Sequence, residues 1–446
     1  MRDTIFALAT APGRAAVAVM RVSGPGAGAC LDQLCGSRPP PRRASVRLLA
    51  DPESGEALDQ ALVIWSPGPA SFTGDDVVEL QLHGGPAIVD AVADALAAAG
   101  ARPAEAGEFT RRAFEAGRLE LSQAEAIADL VDAETTAQRR QALAQLGGAL
   151  ARRYEGWRAR LIEAMALLEA EIDFPDEELP EDLARQAFGP LRVLRGEIAE
   201  AIRDVRGERV RDGFRIAIIG APNAGKSSLF NGLVRRDAAI VTATPGTTRD
   251  VIEASMTIAG YAVVLADTAG VREAGDAIEA EGVRRARAWA DDAALRLWVV
   301  DHNGEGGDWR EGADLARPGD ILVLNKIDLL PGPDREAVSH VAAELDLDVV
   351  AAAAGKDVSA IRAAVERRVV QSMAGADAPA VTRVRHRALL AEALRHLDRA
   401  LSDEAAGAEL LAESVRLAAR ELERISGHID SEAILDHVFG AFCIGK

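Results

Sequence analysis

Residues 214–230 read FRIAIIGAPNAGKSSLF, and the fold turns on how they are understood. The apolar run 216–219 predicts a buried parallel strand that stops at Gly220. Gly220, Gly225, Lys226 and Ser227 then have the spacing G-x-x-x-x-G-K-S, and helical character begins at Ser228. Glycines let successive backbone N–H groups curl around an anion, and the helix N-terminus adds the positive end of its dipole. Asn223, Ala224, Gly225 and Ser228 would surround the phosphates, Lys226 would reach the β- and γ-phosphates, and Ser227 would bind Mg²⁺. The alternative is a glycine-rich turn without a ligand, which the agreement of motif and context disfavours.

Further motifs follow in the order a nucleotide domain requires. Asp267, Thr268, Ala269 and Gly270 end a predicted strand; the Asp holds Mg²⁺ through water and the Gly270 N–H senses the γ-phosphate. Asn325, Lys326, Ile327 and Asp328 end another. A carboxylate at Asp328 accepts two N–H bonds from guanine that adenine does not offer, so the motifs favour GTP over ATP. Residues 351–354 are all Ala where Ser-Ala-Lys is usual: Ala351 lacks the hydroxyl, and the Ala352 N–H is left to meet the guanine carbonyl. Gly246, Thr247, Thr248, Arg249 and Asp250 occupy the place of a switch loop, with Thr248 completing the Mg²⁺ shell. Arg249 is either a finger supplied in cis or a surface residue that structures the loop. Val271 stands where small GTPases place a water-orienting Gln. Glu279 and Glu281, downstream, either reach back or lie on a solvated helix.

The 446 residues predict about three domains. A net charge of −19 means that any RNA contact must use a local basic patch. Three cysteines, Cys30, Cys35 and Cys443, form no zinc-like array and point to a reducing cytosol. Neither a signal peptide in residues 1–20 nor an uncharged run that could span a bilayer is expected. Of 51 basic residues only Lys226, Lys326, Lys356 and Lys446 are lysine, and two of these lie in nucleotide motifs.

Residues 1–118 mix strand-like runs (15–22, 61–65, 77–82) with turns and an Ala-rich helix over 87–99, an α+β domain. Residues 119–212 show one long helical periodicity from Leu119 to Leu168, opened by a capping box at Ser122 and Glu125. The acidic, proline-bearing 172–182 breaks it, and a helix over 191–205 follows. Arg206, Arg209, Arg211 and Arg215 then make either an RNA contact or a solvated linker. In residues 213–375 strands (215–219, 252–258, 262–266, 296–300, 321–324, 348–352) alternate with helices, and a hairpin at Ala259-Gly260 makes one strand antiparallel in an otherwise parallel sheet. Residues 376–446 return to helix, with Leu389, Leu390, Leu394, Leu397 and Leu401 on one face. The expected architecture is multidomain α/β plus α, a P-loop domain inserted into a helical domain. Two independent helical segments are the alternative.

More specific than the nucleotide motifs are DTIFALATAPGRAAVAVMRVSG at 3–24, SFTGDDVVELQLHGG at 71–85, GEFTRRAFEAGRLELSQAEAIADLVDA at 107–133, EIDFPDEE, and the terminal FCIGK at 442–446. With GAPNAGKSSL, TPGTTRD and DTAGVRE, they make the chain resemble the MnmE (TrmE) family of tRNA-modification GTPases over essentially its full length. The resemblance implies a cytoplasmic homodimer with an N-terminal domain that binds a 5-formyltetrahydrofolate-type folate, and a helical domain split by a Ras-like GTPase insert. It implies a partner, the FAD-dependent MnmG, in a heterotetramer. The pair would add a carboxymethylaminomethyl-type group at carbon 5 of the wobble uridine of certain tRNAs, with FAD only in the partner.

It also implies K⁺ in place of an arginine finger, held by Asn223 with Thr242, Thr244 and Thr247, while Ala243 and Pro245 complete the GTP-binding stretch. The water-orienting glutamate maps to Glu279 rather than Glu281. The folate contacts map to Arg21, Glu79, Arg118 (usually Lys) and Lys446. Cys443 is either a nucleophile for the uridine ring or a packing or folate-proximal residue. Ala106 replaces a usual Pro. A ribosome-assembly GTPase that binds RNA would want a basic appendage, and this chain is acidic. A folate module with a merely structural G domain is opposed by intact Lys226, Ser227, Asp267 and Asp328.

Overall fold

Strands with one buried face build the first sheet, and runs of apolar residues build the second. The computed structural model describes residues 3–173, 183–236, 240–242, 252–267, 277–301, 312–327, 335–353, 357–375, 381–402, 407–427 and 432–445. The chain divides into two units: Met1–Ala128, Gln145–Arg192 and Glu392–Lys446 form one, and Asp129–Ala144 and Val193–Ala391 the other.

The first unit begins with β1 (Ile5–Leu8), β2 (Ala15–Ser23), α1 (Ala27–Cys35), β3 (Ser45–Ala50), β4 (Ala57–Ser66), β5 (Val77–Gly84), α2 (Pro86–Ala98), β6 (Arg102–Pro103) and α3 (Glu108–Glu115). Its sheet has the order β3-β4-β5-β2-β1-β6, antiparallel except for the β1–β6 pair. Met20, Val22, Leu80 and Leu82 join Leu31, Leu34 and Leu96 of α1 and α2 in one core. Side chains alternate along a strand, so Arg21 and Glu79 fall on the opposite face. They lie directly across from one another in the β2–β5 register. Short elements that the sequence reading passed over, β1, β3, β6, α1 and α3, complete the sheet and its cover.

The predicted long helix is three: α4 (Leu121–Val131), α5 (Thr136–Leu146) and α6 (Ala149–Asp173). The capping box is not where it was expected. Ser122 lies inside α4, buried, its hydroxyl without a hydrogen bond. The Glu120 N–H instead donates to Gln123 Oε1 at 3.1 Å. A reciprocal box opens α5: the Gln138 N–H donates to Thr135 Oγ1 (3.3 Å) and the Thr135 N–H to Gln138 Oε1 (3.0 Å). That box is why the periodicity restarts. α7 (Leu183–Arg203) carries Pro190 within it, and α8 (Arg206–Asp212) leads to the second sheet. The Arg-rich stretch is half-buried and makes contacts within the fold. Arg206 donates to Asp204 and the Ala374 carbonyl, Arg211 pairs with Asp129, Arg209 stacks over Phe214, and Arg215 lies over Trp289 and pairs with Asp292.

The second sheet contains β7 (Phe214–Ile219), β8 (Ile240–Thr242), β9 (Ile252–Ile258), β10 (Tyr261–Asp267), β11 (Leu295–Asp301), β12 (Ile321–Asn325) and β13 (Asp348–Ala351). Its helices are α9 (Lys226–Arg236), α10 (Ala277–Asp292), α11 (Arg335–Glu344) and α12 (Ser359–Ser372). The order is β13-β12-β11-β7-β10-β9-β8, and β9 runs against all its neighbours. The β9–β10 turn has positive φ at Ala259 (50°) and Gly260 (82°), as a two-residue hairpin requires. Separate apolar cores cover the two faces of the sheet, so β11 and β12 are buried at every residue. The three-residue β8 escaped the sequence reading. Helices α13 (Val384–Ser402), α14 (Ala408–Ser426) and α15 (Glu432–Gly440) close the chain, with α14 packed along α6. Among the described residues no helix is long and apolar enough to cross a membrane.

Candidate functional site

The parallel strands β7, β10, β11 and β12 end on one rim, the place where open α/β sheets bind ligands. There residues 220–225 turn from β7 into α9, whose first residue is Lys226. Lys226 is 7% exposed, and its Nζ donates to the carbonyls of Gly220 (2.5 Å) and Ala221 (2.7 Å). The ammonium is thus held against the loop by backbone carbonyls. Ser227 Oγ donates to Asp267 Oδ2 at 2.7 Å. Two hard oxygen donors, one of them charged, therefore meet at the head of α9, a donor set that suits Mg²⁺. Asn223 is exposed, with φ 60°.

The phosphate loop is tied to the segment that begins at Asn325. Asn325 Nδ2 donates to the Ala224 carbonyl at 2.8 Å from a buried position. Gly225 has φ 98°, and a Cβ there would lie 2.1 Å from Asn325 Nδ2, so the close approach needs glycine. Lys326 has φ 59° and pairs with Asp301 at 2.7 Å. Sequence reasoning missed Asp301; the signal was an acid closing the apolar run LRLWVVD between two nucleotide motifs. One expectation is corrected here. The Ala352 N–H already donates to the Leu324 carbonyl at 2.8 Å, extending the β12–β13 ladder, so it is not poised for a guanine carbonyl.

Several expected site residues lie outside the described residues: Ala243, Thr244, Pro245, Gly246, Thr247, Thr248, Arg249, Thr268, Ala269, Gly270, Val271, Asp328 and Lys446. Thr242 ends β8, and Glu279 and Glu281 belong to the start of α10, but the side chains of all three are also outside the description.

In the first unit, Arg21 donates to Glu79 Oε1 through Nε (3.1 Å) and Nη2 (2.9 Å). Its guanidinium lies 5.9 Å from the Phe72 ring and 5.8 Å from that of Phe109. The C-terminal tail reaches this place. Ile444 bridges to Ala106, and Arg21 Nη1 donates to the Gly445 carbonyl at 3.5 Å. Arg118 instead lines a cavity of about 910 Å³ with Arg111, Glu115, Gln123 and Gly427, and neither Arg21 nor Glu79 is among its described lining. Cys443 is exposed.

A family model described as the MnmE helical domain matches residues 121–443, and one described as the GTP-binding protein TrmE N-terminus matches residues 4–118. The chain belongs to the MnmE family. Its relatives include proteins named tRNA modification GTPase MnmE from Caulobacter vibrioides (57% identical over 453 residues), Phenylobacterium zucineum (55% over 452) and Maricaulis maris (51% over 452), each match covering 100% of both chains. The protein is accordingly a GTP hydrolase of the MnmE family, with the mixed-sheet P-loop unit seen here and the N-terminal and helical regions its models describe.

Proposed function

We propose that the chain is a K⁺-dependent GTPase that, with MnmG, places a carboxymethylaminomethyl-type group at C5 of the wobble uridine of certain tRNAs, using a folate one-carbon unit. The observation that carries the nucleotide part is the meeting of Lys226, Ser227 and Asp267 at the head of α9. Lys226 binds the β- and γ-phosphates, Ser227 and Thr248 hold Mg²⁺, Asp267 supports it, and Asn325, Lys326 and Asp328 read guanine. Mg²⁺ would offset the negative charge that develops on the transferred phosphoryl group. Asn223, with Thr242, Thr244 and Thr247, would hold K⁺, and the exposed position of Asn223 in the phosphate loop is compatible with that assignment. Glu279 orients water and Arg249 assists.

The folate reading rests on Arg21, Glu79, Arg118 and Lys446. The guanidinium of Arg21, set between two aromatic rings beside the tail, supports a planar anionic ligand there. Cys443 is the candidate nucleophile. In this reading residues 1–118 bind folate and pair in a homodimer, 119–212 and 376–446 form the helical domain, 213–375 form the GTPase insert, and the site of action is the cytoplasm. Family membership leaves no observation in favour of a ribosome-assembly role. The test is nucleoside mass spectrometry of tRNA from a strain that lacks the gene. Loss of the modified wobble uridine, restored by the wild-type gene and not by Lys226→Ala, is expected. Unmodified levels that match the parent would overturn the reading.

A further inference from the structure

We infer that Asp301 is a positioning residue for nucleotide binding, acting through Lys326. This rests on the reading of Asn325–Asp328 as the guanine-recognition segment.

The last residue of β11 is Asp301, and in the parallel register it stands opposite Asn325, the last residue of β12. Both therefore lie on the rim that carries the phosphate loop. The Asp301 side chain is 7% exposed. A buried anion is unfavourable unless paired, and doubly so on a rim that receives a polyphosphate. It pairs with Lys326, at 2.7 Å. Lys326 follows directly after β12 with φ 59°, a conformation that lysine rarely adopts. The left-handed step turns its side chain off the strand direction and toward β11, where Asp301 receives the ammonium. The segment is then pinned twice. Asn325 is tied to the phosphate loop through the Ala224 carbonyl, and Lys326 is tied to β11 through Asp301. A flexible four-carbon side chain keeps one orientation when its head group is fixed. Asp301 thus presets the segment that leads into Asp328, and so the affinity for guanine nucleotides, while touching no nucleotide atom itself.

The test uses the full chain, with fluorescent GDP titration and steady-state GTP turnover. Asp301→Asn keeps the shape and removes the charge. The expected result is a GDP affinity about tenfold weaker and a KM for GTP raised in proportion, with kcat at saturating GTP falling less than twofold. A general loosening of the fold would lower kcat as well as the affinity. Lys326→Met should weaken binding as well, and Asp301→Asn combined with Lys326→Met should be no weaker than Lys326→Met alone, because the carboxylate then has nothing to position. Additive losses in the double variant, or unchanged affinity in Asp301→Asn, overturn the inference. Should Asp301→Asn fail to fold, Asp301→Glu carries the same measurement, with a two- to fivefold loss expected and unchanged affinity again decisive against it. Wild-type protein that binds no guanine nucleotide would instead refute the nucleotide reading.

Discussion

Glu108 receives hydrogen bonds from Arg102 (2.7 and 2.9 Å), from Arg112 (2.8 Å) and from the Glu105 N–H (2.9 Å). Burial pushes its carboxyl pKa up, but Arg102, the Glu105 N–H and Arg112 outweigh that and hold it at about 2, from an ordinary value of 4.5. A depressed carboxylate pKa contributes stability above the unfolded value, and the contribution is lost as pH falls through the folded one. Glu108→Gln should therefore destabilise the first unit by about 2 kcal/mol at neutral pH. The gap between the two proteins, followed by denaturation, should close as pH falls from about 4.5 to about 2. A gap that stays constant across that window would refute the linkage.

Asn223 bears on the proposed potassium role. GTP turnover should be at least tenfold faster in K⁺ than in Na⁺, and Asn223→Ala should remove most of that difference. Equal rates in the two salts exclude the role. At this scale the sequence was most legible where chemistry is local, as in the spacing of Gly225, Lys226 and Ser227. It was least legible where partners are distant. Nothing near Arg21 announces Glu79, 58 positions on, until strand register joins them.

Among the elements, the buried strands of the second sheet were readable because both faces are covered, which turns each strand into an apolar run that periodicity detects. β8 was not, since three residues at an edge carry no pattern, and neither were α1 and α3, which are too short for helical periodicity to stand out. The single long helix expected from Leu119 onward failed for another reason: apolar spacing continues across turns, and the restarts are marked only by the Thr135 and Gln138 box before α5 and by Gly147-Gly148, the latter with φ 78°, before α6. An internal fastening also stayed hidden. Arg296, at the start of β11, is 3% exposed. It donates to the carbonyls of Ala290 (2.9 Å) and Ala293 (2.8 Å) at the C-terminal end of α10, and to Asp320 Oδ2 (3.3 Å). Asp320, 2% exposed, also accepts the Arg296 N–H (2.9 Å) and the Arg317 N–H (2.7 Å). Removing one member of a buried pair leaves the other charge uncompensated. Asp320→Ala should lower the stability of the second unit by about 3 kcal/mol in chemical denaturation. A loss below about 1 kcal/mol, the range of an exposed pair, would show that the pair is not an anchor for α10.

Across the whole chain, each unit is assembled from separated stretches of sequence, and the first is completed only by the last residues. Phe439 and Phe442 pack with Leu121 and Ala124 in a small core, Ile444 bridges to Ala106, and Gly445 comes to Arg21. Gly445 has φ 98°, and a Cβ there would lie 2.3 Å from the Leu8 carbonyl oxygen, so only glycine fits this approach. The terminal motif can therefore act as more than a carrier of Lys446, because its backbone is seated against β1. If folate binds beside Arg21, Gly445→Ala should weaken 5-formyltetrahydrofolate binding at least tenfold in calorimetric titration, although Lys446 is still present. Truncation after Phe442 should do no less. The alternative, that Lys446 contributes only its charge from a loosely held tail, predicts near wild-type affinity for Gly445→Ala and loss only on truncation. The two variants together thus separate a built seat from a mobile charge, and that choice decides whether the chain's final residues belong to the architecture of the first unit or merely to its electrostatics.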